Sequence, residues 1–312
     1  MRAALVVVEN VLAKHSVLSN SEADCDGNLQ LVPLPSWASN VHEVPARKVT
    51  PMRKNILLVG LALLPFTACP QRATPNLEFD HVWIVVSPDA PERAALERAA
   101  LERAGFRISP NVNHNDGQGT SSISVEFQNS YIELMWPDPK VAVASGREAV
   151  VEKSRNRMLW RTSGWCPIGI GLHRISATND SLPFPTWTVN MPWMPAGSSI
   201  QILVARDDTK SPSLFVEPRA LAVDEIKNRD AIQRNSPDAA VFQHPLGVKR
   251  ITSVLLVSPE AYKPVTALTY LQKLGVVSVA PGKEWRLELT FDDGQQGHSK
   301  DLGPDLPLVI RY

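Results

Sequence analysis

The sequence has 312 residues, and its 32 Lys+Arg balance its 32 Asp+Glu. A chain with no basic surplus is poorly suited to neutralising phosphates, which argues against nucleic-acid binding. Hydrophobic residues make up 44%, enough to exclude wholesale disorder. Three cysteines with no CxxC pair exclude a disulfide framework and a zinc ribbon. The length suits about two domains, and 26 prolines predict many loops and interrupted elements.

The earliest informative segment begins at Met52. Arg53 and Lys54 are followed by an apolar run from Ile56 to Ala68, and then by Cys69. The run is too short for a membrane span of about 20 residues and has the length of a signal-peptide core. Phe66-Thr67-Ala68-Cys69 resembles a bacterial lipobox, with Phe66 where Leu is usual. This order of charge, apolar run, small residues and cysteine predicts export, with Cys69 carrying a lipid that holds the protein on the membrane surface. The alternative is a buried element with Cys69 as a small core residue. On the export reading Met52 is the start, residues 52–69 are the signal segment and 70–76 a tether. Residues 1–51 are then either upstream sequence or a loosely packed extension. Cys25, His15 and His42 within them show no ligand spacing, and the segment is assigned no function.

From Phe79 to Val86 a near-continuous apolar run rich in β-formers predicts a strand. Ala90 to Ala104 is strong helix former, with Asp89 placed to cap and Gly105 to stop it. A short strand is expected at 106–109, a polar loop at 111–119, and strands at 121–127 and 131–135. The unit reads β-α-β-β-β. A worn copy follows in the middle of the chain, with strands at 169–176, 199–205 and 214–217 and a proline-broken stretch where the helix should be. A third copy is expected near the C-terminus, with strands at 250–257, 276–280, 285–291 and 306–312 and a helix at 262–274. The expected fold is α+β, built from repeated βαβββ modules that form an open curved sheet. The expected parts are a two-module barrel at 77–219, a connector at 220–243 and a C-terminal module at 244–312. Pairing the first and middle copies sets Glu217 opposite Glu133; pairing first with last would make the middle copy an insertion.

Copies that open FDHVWIVV and close YIELMWP, with the helix end LERAGF, the loop NHNDGQGT at 113–120, LFVEP and HPLGVKRI at 244–251, resemble the glyoxalase-like domain family of the vicinal oxygen chelate superfamily. The resemblance implies paired modules around a divalent metal (Mn, Fe or Zn) bound by first and last strands. Carried over, the ligands fall on His81, Glu133 and Glu217, with Ile170 in the fourth position, where it cannot bind metal. No nucleotide cofactor is implied.

The residues themselves give a partly independent reading. His81 and Glu133 interrupt apolar strands, where an unpaired polar group costs several kcal/mol; a metal, or each other, would satisfy them. His114, in the Gly- and Asn-rich loop, is expected either at the pocket or exposed beside it. Trp83 and Trp187 are expected to line the pocket, since the aromatics from Trp160 to Trp193 either wall it or plug the barrel. His173 reads as packed, His244 as shaping a turn and His298 as solvated. Cys166 has no adjacent base for a nucleophile role.

The expected function is a lipid-anchored, exported protein of the bacterial periplasm or outer membrane, binding a small oxygenated molecule. Two classes stay open: metal-dependent lyase, isomerase or dioxygenase chemistry, with Glu133 or Glu217 as base if the metal is absent, and non-catalytic sequestration. The expected partners are a small molecule, the membrane through the lipid alone, and a second copy of the chain in a homodimer.

Overall fold

The computed structural model describes residues 76–86, 90–145, 148–175, 181–206, 208, 210–223 and 237–312. The signal segment, Cys69 and residues 1–51 lie outside the described residues.

β1 (Leu77–Val85) alternates between two faces. Val82 and Ile84 are fully buried on one of them. α1 (Ala90–Ala104) is built, after Pro91 in its first turn, from Ala, Leu, Glu and Arg, all good helix formers. It ends at Gly105, whose φ of +97° strains any L residue and where a Cβ would stand 3.2 Å from Leu246.

The chain then departs from expectation. Residues 106–109 stay outside the sheet, although the Ser109 amide donates to the Ser124 carbonyl. Instead β2 (Asn113–Asn115), inside the expected loop, pairs antiparallel with β3 (Thr120–Glu126). Its Asn-His-Asn sequence carries no apolar alternation, so hydropathy could not reveal it. β4 (Tyr131–Pro137) returns antiparallel to β3 and runs parallel to β1.

α2 (Glu148–Met158) and α3 (Trp160–Ser163) follow. The second module comprises β5 (Ile168–Arg174), β6 (Trp187–Val189), β7 (Ile200–Ile202) and β8 (Ser213–Val216), with no helix described between β5 and β6. The sheet order β2-β3-β4-β1-β5-β8-β7-β6 shows two like halves joined by antiparallel pairing of β1 with β5. The fold is mixed α+β, and its main element is an eight-stranded curled half barrel.

The C-terminal sheet has the order β10-β9-β11-β13-β12. Its strands are β9 (Ile251–Pro259), β10 (Ser278–Gly282), β11 (Arg286–Phe291), β12 (Ser299–Asp301) and β13 (Leu308–Arg311). α4 (Thr266–Leu274) starts later than position 262 because Pro264 and the extended Val265 precede it. Here the strand after the helix pairs directly with the first strand, whereas β2 lies at the far edge of its sheet. β12 is an extra short polar edge strand.

One buried core unites α1, the face of the half barrel that carries Val82, Ile132, Ile170 and Leu214, and the inner side of the second sheet. Phe106 and Phe127 of the first module meet Phe291 of β11 at ring-centroid distances of 5.7 and 4.9 Å. The other face of the half barrel carries a separate apolar cluster of Val189, Met191, Met194, Ile200 and Phe215. Trp83, Trp187 and Trp193 pack against it.

Candidate functional site

The site lies on that second face and starts from an irregularity in β1. Phe79 is paired with Leu172 and His81 with Gly171, so Asp80 is an extra residue in the ladder. Such a bulge re-aims side chains. Here it lets two consecutive residues, Asp80 and His81, join one hydrogen-bonded group.

Asp80 is the centre of that group. Its Oδ1 lies 2.7 Å from His81 Nδ1 and its Oδ2 lies 2.9 Å from His173 Nδ1; Oδ2 also accepts from the Val223 amide at 2.9 Å. All three side chains are buried. Burial alone would raise the carboxyl's pKa. The bonds to His173 and His81 and the Val223 amide overcome that and hold it well below the usual carboxylate range. The same pairing works in reverse on His81. Burial would lower its pKa, but Asp80, with Glu217 and Glu133 behind it, keeps it raised.

Aromatic neighbours hold the His81 ring. Tyr131 stacks on it at 4.2 Å with a 10° interplanar angle, and Phe215 meets it edge-on at 5.3 Å. Beneath it Gly171 is required by space: a Cβ there would come within 2.6 Å of His81 Cε1. Gly169 makes the same allowance for the Trp83 indole, 2.0 Å from where its Cβ would stand. The two glycines of Ile168–Arg174 are therefore cradles for two rings of β1.

Glu133 is paired in register with Trp83 and so shares its face. Glu217 follows β8, with its amide bonded to the Leu172 carbonyl. Its Oε2 is buried with no hydrogen-bond partner. Burial pushes its pKa up to about 8; Asp80 and Glu133 add to the effect and His81 opposes it. Tyr131 is likewise raised, by burial first and by Glu133 next. His81, Glu133 and Glu217 thus share one electrostatic neighbourhood.

Their chemistry would suit a divalent metal, and a histidine held through its other nitrogen by a carboxylate is a common metal-site feature. Their spacing does not suit one. Among the described residues, no group of three or more His, Cys, Asp or Glu side chains is arranged so that it could hold a metal ion. The residues as arranged do not fit the ion.

The other expected site residues separate. Trp83 and Trp187 both pack on the apolar cluster of the site face, and the Trp187 indole donates to the Val204 carbonyl at 2.9 Å. His114 does not line this site. It pairs in register with Ser121, and Ser121 with Trp136, which packs on the helix-side core. His114 therefore lies on the opposite face, near the sheet edge. Its Nδ1 is 2.9 Å from Ser121 Oγ, which in turn donates to Asp138. The aromatic segment divides too: Trp160 and Phe184 join the main core and Trp187 and Trp193 the site face. Burial raises the Cys166 thiol to about 12, which leaves it inert as a nucleophile.

Sequence reasoning missed Asp80 and His173. Asp80 lies within the 79–86 run that predicts the first strand and takes no role of its own there. The available signal was the pair Asp80-His81: adjacent strand residues normally point to opposite faces, so two consecutive buried polar residues imply a bulge.

No curated protein matches the chain. A solved structure described as a hypothetical protein from Staphylococcus aureus is similar at 14% identity and a TM-score of 0.40; the match covers 76% of this chain and 98% of that one. Residues 79–272 match the glyoxalase-like domain. With that match over more than half its length, the chain belongs to the glyoxalase-like domain family.

Proposed function

We propose that the chain binds a small molecule with adjacent oxygen atoms on the site face of the half barrel, with His81 and Glu217 donating hydrogen bonds to those oxygens. The observation that carries this is the Glu217 carboxyl. With a pKa of about 8 it is protonated near neutral pH, and its Oε2 is buried and unpartnered. Burying such a group costs about 1–3 kcal/mol until a partner arrives. His81, its Nδ1 taken by Asp80, offers Nε2 to the same ligand. Two donors on one face of the sheet favour an anionic or enolic pair of oxygens over a single carbonyl. Trp83 and Phe215 supply apolar walls for the rest of the molecule.

Isothermal titration of the full chain tests this, with catechol and phenol as probes. Catechol is expected to bind at least about tenfold tighter than phenol, a difference of about 1.4 kcal/mol. His81→Ala and Glu217→Ala are each expected to abolish that preference. Equal affinities in the native chain would overturn the reading.

Glu133 extends the reading to turnover. It lies beside Trp83 on the same face and acts electrostatically on both His81 and Glu217, so it is the group placed to take a proton from a bound carbon acid. Exchange of the carbon-bound hydrogens of hydroxyacetone with deuterated water, followed by NMR, separates the two classes. Exchange lost in Glu133→Gln marks an enzyme; no exchange above buffer marks a sequestering protein.

The order of residues in 52–69 supports export and attachment through a lipid on Cys69. Expression in a bacterial host with radiolabelled palmitate is expected to label the native chain and not Cys69→Ala. An unlabelled native chain would remove the anchor from this account.

A further inference from the structure

We infer that Asp80 and His173 are positioning residues for His81. They fix its ring so that Nδ1 carries a hydrogen toward Asp80 and Nε2 is the nitrogen presented to the ligand. The inference rests on the proposed ligand role of His81, but its main readout needs no ligand.

Three geometric observations carry it. The bulge between Phe79 and His81 breaks the ladder at the one place that lets Asp80 and His81 act together. Both carboxylate oxygens are committed, Oδ1 to His81 at 2.7 Å and Oδ2 to His173 at 2.9 Å and the Val223 amide at 2.9 Å. The carboxylate therefore cannot rotate without breaking bonds on both sides. Each partner comes from a different part of the chain: His81 is on β1, His173 on β5 and Val223 just after β8. A carboxylate required only for burial would need no such convergence, and an aspartate placed only to neutralise His81 would need no second histidine.

The roles divide along this line. Asp80 accepts from His81 Nδ1–H, which selects the tautomer of the neutral ring and stabilises the charged one, while remaining a carboxylate itself. His173 donates Nδ1–H to the other oxygen and so holds the carboxylate plane. On its far side, His173 Nε2 lies 3.5 Å from the exposed Glu78 carboxylate.

The test is the ring Nδ1 proton of His81, read by 1H–15N NMR on the full chain with no ligand added. The native chain is expected to show a strongly downfield, slowly exchanging proton on His81 Nδ1. Asp80→Ala is expected to lose that signal and to weaken catechol binding about tenfold or more. His173→Ala is expected to broaden it, and His173→Gln, which can still donate to Asp80, to restore it. Should Asp80→Ala fail to fold, the two His173 variants carry the test alone. A native chain without the signal, or a signal unchanged in Asp80→Ala and in His173→Ala, would overturn the inference. A signal that behaves as expected, together with equal binding of catechol and phenol, would retain the positioning roles and reject the ligand reading.

Discussion

At the scale of single residues, the site is set by which atoms have room and which have partners. Gly171 makes the first point. Its φ lies outside the left-handed region, so alanine is allowed by the backbone and disallowed only by the His81 ring beside it. Gly171→Ala is expected to cost about 1–3 kcal/mol in urea unfolding and to displace the ring from Tyr131, which the loss of catechol preference would report. Glu217 makes the second. Unfolded, its carboxyl ionises near the ordinary 4.5, and folded at about 8. Between those values the folded chain holds a proton that the unfolded chain has lost, so stability falls as pH rises through the window, by up to about 1.4 kcal/mol per unit. Glu217→Gln cannot ionise. Its stability, measured by urea unfolding from pH 5 to 9, is expected to overtake that of the native chain toward pH 9.

At the scale of elements, the strands bring the site together and the turn at His244 ties them to the C-terminal sheet. His244 Nδ1 accepts from the Arg107 amide at 3.1 Å and Nε2 donates to the Glu126 carbonyl at 2.8 Å. Only the neutral ring can do both. Burial lowers its pKa; the Glu126 carbonyl opposes that and the Arg107 charge adds to it. Below the ordinary 6.5 the unfolded chain takes up the proton first, so this contribution to stability is present above 6.5 and is lost on acidification. His244→Gln keeps a donor near the Nε2 position without titrating, and thermal unfolding is expected to show a smaller loss between pH 6.5 and 5 than in the native chain. The elements also show what the sequence could tell. β1, α1, β4 and β9 were legible because long apolar or helix-forming runs announce them. The short strands β2 and β12 were not, because edge pairs made from Asn, His, Ser, Lys and Asp arise from backbone hydrogen bonding with no hydropathic trace. The bulge at Asp80 left only the adjacent polar pair Asp80-His81 as a trace, because a ladder irregularity belongs to two strands and the sequence shows one at a time.

At the scale of the whole molecule, two sheets share one core. Phe291 is fully buried on β11 and touches Phe106 and Phe127 of the first module. Phe291→Ala is expected to cost about 3–5 kcal/mol. Because the contacts span both sheets, hydrogen exchange is expected to show protection falling together in β1 and β9. Protection lost from the C-terminal sheet alone would show that the two sheets unfold independently. The duplicated order of the half barrel also explains why pairing β1 with β5 was readable as one of two options and no more. In the sequence each first strand offers an edge to the other modules; in the fold β1 and β5 meet, while both edges of β9 are taken by β10 and β11. That arrangement sets Asp80, His81, Glu133, His173 and Glu217 into one neighbourhood, on which the functional reading depends.

The most direct test of that convergence is the titration of the Glu217 carboxyl, followed by 13C NMR in the full chain and in His81→Ala. A midpoint near 8 in the native chain is expected, moving higher when the imidazole that opposes the shift is removed. A midpoint near 4.5 that ignores the loss of His81 would contradict the account.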